Sequence, residues 1–474
     1  MATPRVLVVP GGTSAGAAAL ANASLHKLVE LHEERQADPS HPAPRTIVVL
    51  RDPDQVPPST LRAAALAPSE AFPADEYPDI AAHVDDPGFF DGIDLVIPTS
   101  GSSAGSPRLV GISTDALVAS AKATEAALSG PGRWILALPT HHIAGAMVLV
   151  RSAVAGTDPQ IVDCTNGFDP RDLLPAVEGA TRDGAAGYLA VVPTQLSACL
   201  DAGDEVVAAL RGLSAILVGG AATNHLLLER AKGMGLPVVT SYGMTETCGG
   251  CVYDGVPLPG TTVRAIDQGI HMRLAIAGDT LMTRYLTGDQ PFFEECGHRW
   301  LITADIGIIL ASGLVEVRGR ADDVIVSGGL SIAPAPIRRC IRQLDEASDA
   351  WIMPTDDTKW GQVVTALWQV AVAVVIAWGA TWFLRRRHPD HLEMALPEGL
   401  IVVGLVWVTW TALRYLTAAF DDGAAVVSWA VMTGTFLLVF LGGWRWLYGY
   451  VRAHDSLIPK PLERRLAEQE QDGR

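Results

Sequence analysis

The sequence predicts an α/β fold: a large body of parallel strands and helices, a β-rich extension, and a helical transmembrane region behind them. Three observations carry this expectation. Short apolar runs alternate with helical patterns from residue 6 to residue 240. Between residues 260 and 326 the pattern changes to brief β-rich runs. Beyond Trp360 the composition shifts to long apolar stretches.

The body contributes candidate strands at residues 6–9, 46–50, 95–98, 134–138, 188–192, 215–218 and 237–240. Helical patterns occupy residues 114–127, 170–181 and 224–232. Alternation of this kind favours parallel layers, because a parallel crossover needs a helix-length connection. The β-rich part supplies runs at 271–276, 298–303 and 314–318, and the turn Gly319-Arg320-Ala321-Asp322-Asp323 leads into a further strand. That turn suggests a boundary with a small C-terminal lobe. Residues 363–384, 400–420 and 424–444 are apolar stretches, each near the ~20 residues that cross a bilayer. Trp407, Trp410, Trp429, Trp444 and Trp446, with Tyr448 and Tyr450, include several near the ends, where interfacial anchors sit. Buried core helices are the alternative, but three such lengths in succession are rare in soluble domains. Residues 461–474 read as a charged tail, and the first residues as a strand and turn rather than a cleavable signal.

At 474 residues the chain is long enough for two or three domains. Its formal charge is −17, and the stretch from Arg385 onward is balanced, so residues 1–384 carry all of it. An acidic body without a basic tract argues against nucleic acid as a partner. It leaves room for an anionic nucleotide held by backbone N–H groups and a metal. The six cysteines, Cys164, Cys199, Cys248, Cys251, Cys296 and Cys340, are scattered like reduced thiols. Cys248 and Cys251 form a CxxC, but with no second pair or nearby His pair it reads as neither a zinc nor a redox site.

The strongest local signal is the run Thr99, Ser100, Gly101, Ser102, Ser103, Ala104, Gly105, Ser106, Pro107, Arg108. It lies between an apolar strand and a helix, offering many donors with little side-chain bulk, as a polyphosphate requires. It is not a Walker loop, since no GK[ST] follows. On its own it reads equally well as a solvated turn. It is followed by Pro139-Thr140-His141-His142-Ile143-Ala144-Gly145, Val218-Gly219-Gly220-Ala221, Ser241-Tyr242-Gly243-Met244-Thr245-Glu246-Thr247, Thr303-Ala304-Asp305 and Gly319-Arg320-Ala321-Asp322-Asp323.

In order and spacing, residues 1–368 resemble the adenylate-forming acyl-CoA synthetase superfamily, most closely its o-succinylbenzoate–CoA ligases. The resemblance implies an adenylate-forming large lobe over 1–318 and a truncated small α+β lobe over 319–368. A membrane region over 369–460 with two to three transmembrane helices and the tail over 461–474 complete the expected organisation. It further implies that Thr99, Ser100, Gly101, Ser102, Ser103 and Gly105 hold the ATP β- and γ-phosphates. Gly219, Gly220 and Ala221 would pass beside adenine, and Tyr242, followed by Gly243, would stack on the base. Thr245 would bond the α-phosphate and Glu246 would hold Mg²⁺, a hard cation that favours carboxylate oxygen. Asp305 would accept from both ribose hydroxyls, and Arg320 would contact ribose or phosphate. His142 would help place the substrate carboxylate, and Asp322 would be the hinge of the small lobe. A satisfied structural histidine and a turn carboxylate are the plainer roles for these two. The reaction implied is ATP-dependent formation of an acyl-adenylate, then of a CoA thioester, with CoA as co-substrate. His142, Thr245, Glu246 and Arg320 would be the catalytic group.

The pattern breaks in two places. The family's late small-lobe lysine is missing: the lysines are Lys27, Lys122, Lys232, Lys359 and Lys460, and Lys460 lies beyond all three apolar stretches. Arg108 stands where the phosphate loop usually ends in lysine. The charges are also awkward for a membrane-attached protein with a cytoplasmic body. Three spans would place Arg385, Arg386, Arg387 and the basic tail outside, against the positive-inside rule. Either the first stretch does not fully span, or two reading frames were joined near Trp368; the second is favoured. Three readings follow: an o-succinylbenzoate–CoA ligase, a CoA ligase for another carboxylic acid, and a membrane-anchored nucleotide- or acyl-adenylate-binding protein without full ligase activity.

Overall fold

The computed structural model describes residues 4–38, 45–56, 65–86, 88–99, 108–268, 272–321, 325–327, 330–332, 334, 337, 341, 351–357 and 361–367. The chain divides into two compact units, 1–336 and 337–474.

In the first unit, apolar runs become strands buried on both faces. Strand β1 (Arg5–Pro10) leads through helix α1 (Ala15–Ala37) to β2 (Thr46–Arg51). Two one-turn helices, α2 (Pro68–Ala71) and α3 (Pro78–Ala81), precede β3 (Leu95–Pro98) and β4 (Leu109–Ile112). β1, β2 and β3 are parallel and β4 turns back antiparallel on β3. Side chains alternate between two cores: Val6, Val8, Ile47 and Val49 face one, Val9, Val48 and Leu50 the other. This is why both runs read as continuously apolar.

Helix α4 (Thr114–Ala127) occupies the residues expected of it. Ser113 caps it by accepting from the Ala116 N–H at 3.2 Å, and the Asp94 carboxylate accepts from the Thr114 N–H at 2.8 Å. The second sheet begins with β5 (Arg133–Leu136), followed by α5 (Ile143–Val154) and β6 (Gln160–Ile161). Helix α6 (Leu173–Thr181), β7 (Gly187–Val191), α7 (Pro193–Asp201) and α8 (Asp204–Leu210) come next. Then follow β8 (Ala215–Val218), α9 (His225–Gly233), β9 (Val238–Met244), β10 (Gly249–Tyr253) and β11 (Val256–Pro257). The strand order is β11-β10-β9-β8-β7-β5-β6, parallel from β6 through β9.

Helices α1, α4 and α5 share one core with strands of both sheets. Helices α6 to α8, with Ala231 of α9, share another core with the second sheet's far face. Helix α5 therefore carries apolar residues all round, as a helix enclosed between sheets must. Neither α1 nor α5 appears among the helices expected from sequence. α1 is alanine-rich and buries small residues such as Ala18 and Ala21, so its apolar stripe is faint; α5 is buried along nearly its whole length and reads as one apolar run.

The β-rich part is a third sheet: β12 (Thr261–Asp267), β13 (Met272–Gly278), β15 (Phe292–Glu295), β16 (His298–Ile309) and β17 (Val315–Arg320). Between them β14 (Arg284–Tyr285) leaves this sheet and pairs with β4 of the first. β18 (Ile325–Ser327) and β19 (Leu330–Ile332) form a short antiparallel pair.

In the second unit, β20 (Trp351–Asp357) and β21 (Gly361–Leu367) form an antiparallel hairpin. Residues 363–367, read from sequence both as small lobe and as the start of the first apolar stretch, are thus strand. Val363, Val364 and Thr365 are β-branched and suit it. The remainder of that stretch, the other two apolar stretches and Lys460 lie outside the described residues. Among the described residues no helix is long and apolar enough to cross a membrane.

Candidate active site

The parallel strands of the second sheet end on one side, and the expected site residues follow those ends: His142 after β5, Gly219 to Ala221 after β8, and Tyr242 to Glu246 at the close of β9. The crevice outside the carboxyl ends of such strands is where open α/β sheets bind ligands. Strand β9 runs longer than the run expected at 237–240 and carries Tyr242, Gly243 and Met244 itself. It then makes a single 3₁₀ turn, Thr245–Thr247, and returns as β10. Within the turn the Thr247 hydroxyl accepts from the Met244 N–H at 2.9 Å and donates to the Gly249 carbonyl at 2.8 Å. Cys248 adopts a left-handed φ of 52° and Gly249 one of 84°. A Cβ on Gly243 would meet the Gly249 carbonyl oxygen at 2.0 Å, so glycine permits this close pairing. From α4, the Ser120 hydroxyl donates to the Cys248 carbonyl at 2.9 Å and holds the turn.

Two groups of side chains form around this hairpin. In the first, the Tyr242 hydroxyl donates to Asp305 Oδ2 at 2.8 Å, and Arg320 Nη1 lies 3.9 Å from Asp305 Oδ1. Asp305 and Arg320 face each other in the β16–β17 ladder, so sheet register places them. The Thr303 hydroxyl accepts from the Asp305 N–H at 3.1 Å. Burial, then the nearby Asp305 charge, pushes the Tyr242 phenol well above its usual range.

In the second group, the Tyr285 hydroxyl donates to Glu246 Oε1 at 2.6 Å. The Arg108 guanidinium lies over the Tyr285 ring, 5.1 Å from its centre. Burial and the Glu246 carboxylate push the Tyr285 phenol up, keeping it a donor. Thr99 and Arg108 close the base of the glycine-rich loop. The Thr99 N–H donates to the Arg108 carbonyl at 2.8 Å, and the Arg108 N–H donates to the Thr99 hydroxyl at 3.0 Å. Ser100, Gly101, Ser102, Ser103 and Gly105 lie outside the described residues, as does Asp322. Thr245 is buried beside Glu246.

Gly219 abuts β9: a Cβ there would lie 2.9 Å from the Ser241 carbonyl oxygen. Gly220 has a φ of +78°, so the pair makes a side-chain-free rim that ends in exposed Ala221. His142 is the N-cap of α5. Its ring centre lies 4.5 Å from that of His141, and the Nδ1 atoms of both are buried without a partner. Burial depresses both imidazoles, holding them neutral near pH 7.

The site suits Mg²⁺ through Glu246, because Oε1 is held by Tyr285 and the carboxylate's second oxygen remains. Mg²⁺ is commonly bound by one or two carboxylates together with substrate phosphates. The CxxC pair is fully buried, and burial pushes the Cys251 thiol up to about 12. Sequence reasoning missed Tyr285. No local pattern marks a two-residue strand, and its role arises only when β14 pairs with β4.

The AMP-binding enzyme family matches residues 2–285. A probable 2-succinylbenzoate–CoA ligase of Mycobacterium tuberculosis (strain ATCC 25618 / H37Rv) is 39% identical over 281 residues, covering 58% of this chain and 70% of that protein. The 2-succinylbenzoate–CoA ligase of Bacillus pumilus is 31% identical over 253 residues, with 49% of this chain and 50% of the relative covered. Among solved structures, o-succinylbenzoate CoA synthetase of Bacillus subtilis in complex with its acyl-adenylate intermediate superposes with a TM-score of 0.55. It is 22% identical, with 77% of this chain and 85% of that chain covered, and shares the fold.

Proposed function

The chain belongs to the AMP-binding enzyme family, and we propose that it activates a carboxylic acid with ATP for transfer to CoA, with o-succinylbenzoate as the acid. One observation carries this reading. At the end of β9, a half-buried aromatic beside a carboxylate and an arginine (Tyr242, Asp305, Arg320) adjoins a second carboxylate tied to the base of a glycine-rich loop (Glu246, Tyr285, Arg108). The first group has the chemistry for a nucleoside, the second for a polyphosphate with its cation. The choice of acid rests on the two ligases of 39% and 31% identity.

In this reading Tyr242 supports the base, Asp305 accepts from the ribose, and Thr245 bonds the α-phosphate. Glu246 would hold Mg²⁺, which supplies neutralisation of phosphate charge. His142, neutral at pH 7, can donate from one ring nitrogen to orient a carboxylate without drawing off its nucleophilic charge. A carboxylate oxygen attacks the α-phosphorus, and the bond to pyrophosphate breaks. The CoA thiolate then attacks the acyl carbonyl, a C–S bond forms, and AMP leaves. Positioning and charge stabilisation do most of the work in such chemistry. ATP–pyrophosphate exchange with a panel of aromatic acids tests the proposal. Exchange dependent on o-succinylbenzoate supports it; exchange with another acid alone transfers the assignment to that acid.

A second reading is favoured by the lysine inventory. With no lysine at the family's late position, the chain would bind the nucleotide and adenylate slowly, by at least ~10²–10³ relative to an intact relative. CoA transfer from a supplied acyl-adenylate would then outpace exchange. The three apolar stretches extend this reading to a membrane-attached protein with its body in the cytoplasm. The full chain should stay with membranes through an alkaline carbonate wash, and its release into the supernatant would remove this part of the reading.

A further inference from the structure

We propose that Tyr285 is a positioning residue for the metal-binding carboxylate, fixing Glu246 so that one oxygen is left for the cation. The inference rests on the reading in which Glu246 holds Mg²⁺.

Glu246 is held at two points by one short segment. Its main-chain carbonyl accepts from the Met282 N–H at 2.8 Å, and its Oε1 accepts from the Tyr285 hydroxyl at 2.6 Å. That segment is itself anchored. The Thr283 and Leu286 N–H groups donate to Gly111 and Leu109 of the first sheet at 2.9 and 3.0 Å. Pairing at these flanking positions leaves the main-chain groups of Tyr285 pointing away from β4, and the Gln290 side chain takes both. Gln290 Oε1 accepts from the Tyr285 N–H at 2.9 Å, and Gln290 Nε2 donates to the Tyr285 carbonyl at 3.1 Å. Tyr285 is almost wholly buried, so its hydroxyl approaches Glu246 from one direction. With Oε1 occupied, a cation meets the other oxygen, in the one-oxygen mode that Mg²⁺ accepts. The face of the same ring carries Arg108, whose main chain closes the glycine-rich loop. One side chain therefore sets the spacing between the loop's base and the metal-holding carboxylate.

Groups that orient a metal's ligands typically change metal affinity by about 10- to 100-fold when removed. The experiment titrates the full chain with ATP at a series of Mg²⁺ concentrations and again in EDTA, for wild type, Tyr285→Phe, Glu246→Gln and the double variant. Tyr285→Phe keeps the ring and the face that Arg108 covers, and removes the hydroxyl. It should raise the Mg²⁺ concentration for half-maximal ATP binding by about 10-fold or more, with metal-free affinity unchanged. In the Glu246→Gln background it should add nothing. Gln290→Ala, which unties the Tyr285 main chain and leaves its hydroxyl, should shift the Mg²⁺ requirement in the same direction by less. An unchanged Mg²⁺ requirement in Tyr285→Phe, or an equal loss with and without Mg²⁺, overturns the proposal while the reading of the site stands. A wild-type chain whose ATP binding ignores Mg²⁺ overturns both.

Discussion

Asp305 and Tyr242 should respond to substitution in opposite directions, because their side chains engage one another. Asp305 Oδ2 accepts from the Tyr242 hydroxyl at 2.8 Å and Oδ1 faces Arg320 at 3.9 Å. A ribose that donates to Asp305 must displace the phenol from one oxygen. Hydrogen bonds to a charged group contribute about 1.5–3 kcal/mol. Asp305→Ala should therefore weaken MgATP binding by about 10- to 150-fold. Tyr242→Phe keeps an aromatic face for the base and removes the competing donor. Since water replaces the phenol in part, the gain should be about 0.5–1.5 kcal/mol, or 2- to 10-fold tighter binding. Calorimetric titration of the full chain with MgATP reads both. Weaker binding by Tyr242→Phe would show that the hydroxyl contacts nucleotide rather than competing with it. Unchanged binding by Asp305→Ala would remove the ribose role altogether. The double variant then reports the coupling between the two positions.

Two further outcomes follow from the same hairpin and from α5. Gly243→Ala places a Cβ 2.0 Å from the Gly249 carbonyl oxygen, and the three nearest atoms, in Gly249 and Gly250, are all backbone. The strands must part, at about 3 kcal/mol or more, lowering Tm by roughly 4 °C or more in a thermal melt of a unit this size. Gly16→Ala, where a Cβ meets nothing within 4 Å, is the control and should leave Tm near wild type. His141 and His142 have folded-state values depressed by burial, so the stability they confer is present above their unfolded value of about 6.5. It is lost as pH falls from there through the depressed values. Replacing both by Gln should flatten that part of the acid loss in melts from pH 7 to pH 5, and an unaltered slope would count against it.

The sequence was most legible where both faces of an element meet a core. Runs such as 95–98 and 215–218 became strands with the same bounds, since parallel strands buried on both sides leave no polar interruption. Helix α5 was hidden for the same reason: enclosed between sheets, it reads as one apolar run rather than as a helix with a polar face. At the site, the residues belonging to motifs could be placed in order, because each motif lies on one strand end or turn. Pairings across the fold could not. Tyr242 meets Asp305 from 63 positions away and Glu246 meets Tyr285 from 39, through registers that no local pattern encodes. The extension of β9 to Met244 was missed because Ser241 and Gly243 interrupt its apolar run.

The pairing of β14 with β4 also bears on how the chain is made. A ribosome releases Val110 about 175 residues before Tyr285, which at 5–20 residues per second is roughly 9–35 s earlier. During that interval β4 is a hairpin arm with an open edge, and an open edge invites pairing with other chains. The strands of the second sheet, and α4 and α5, which pack against both sheets, are synthesised meanwhile. The strand that covers the open edge of β4 is also the one that delivers Tyr285 to Glu246, so the nascent chain covers that edge and completes its carboxylate clasp in one step.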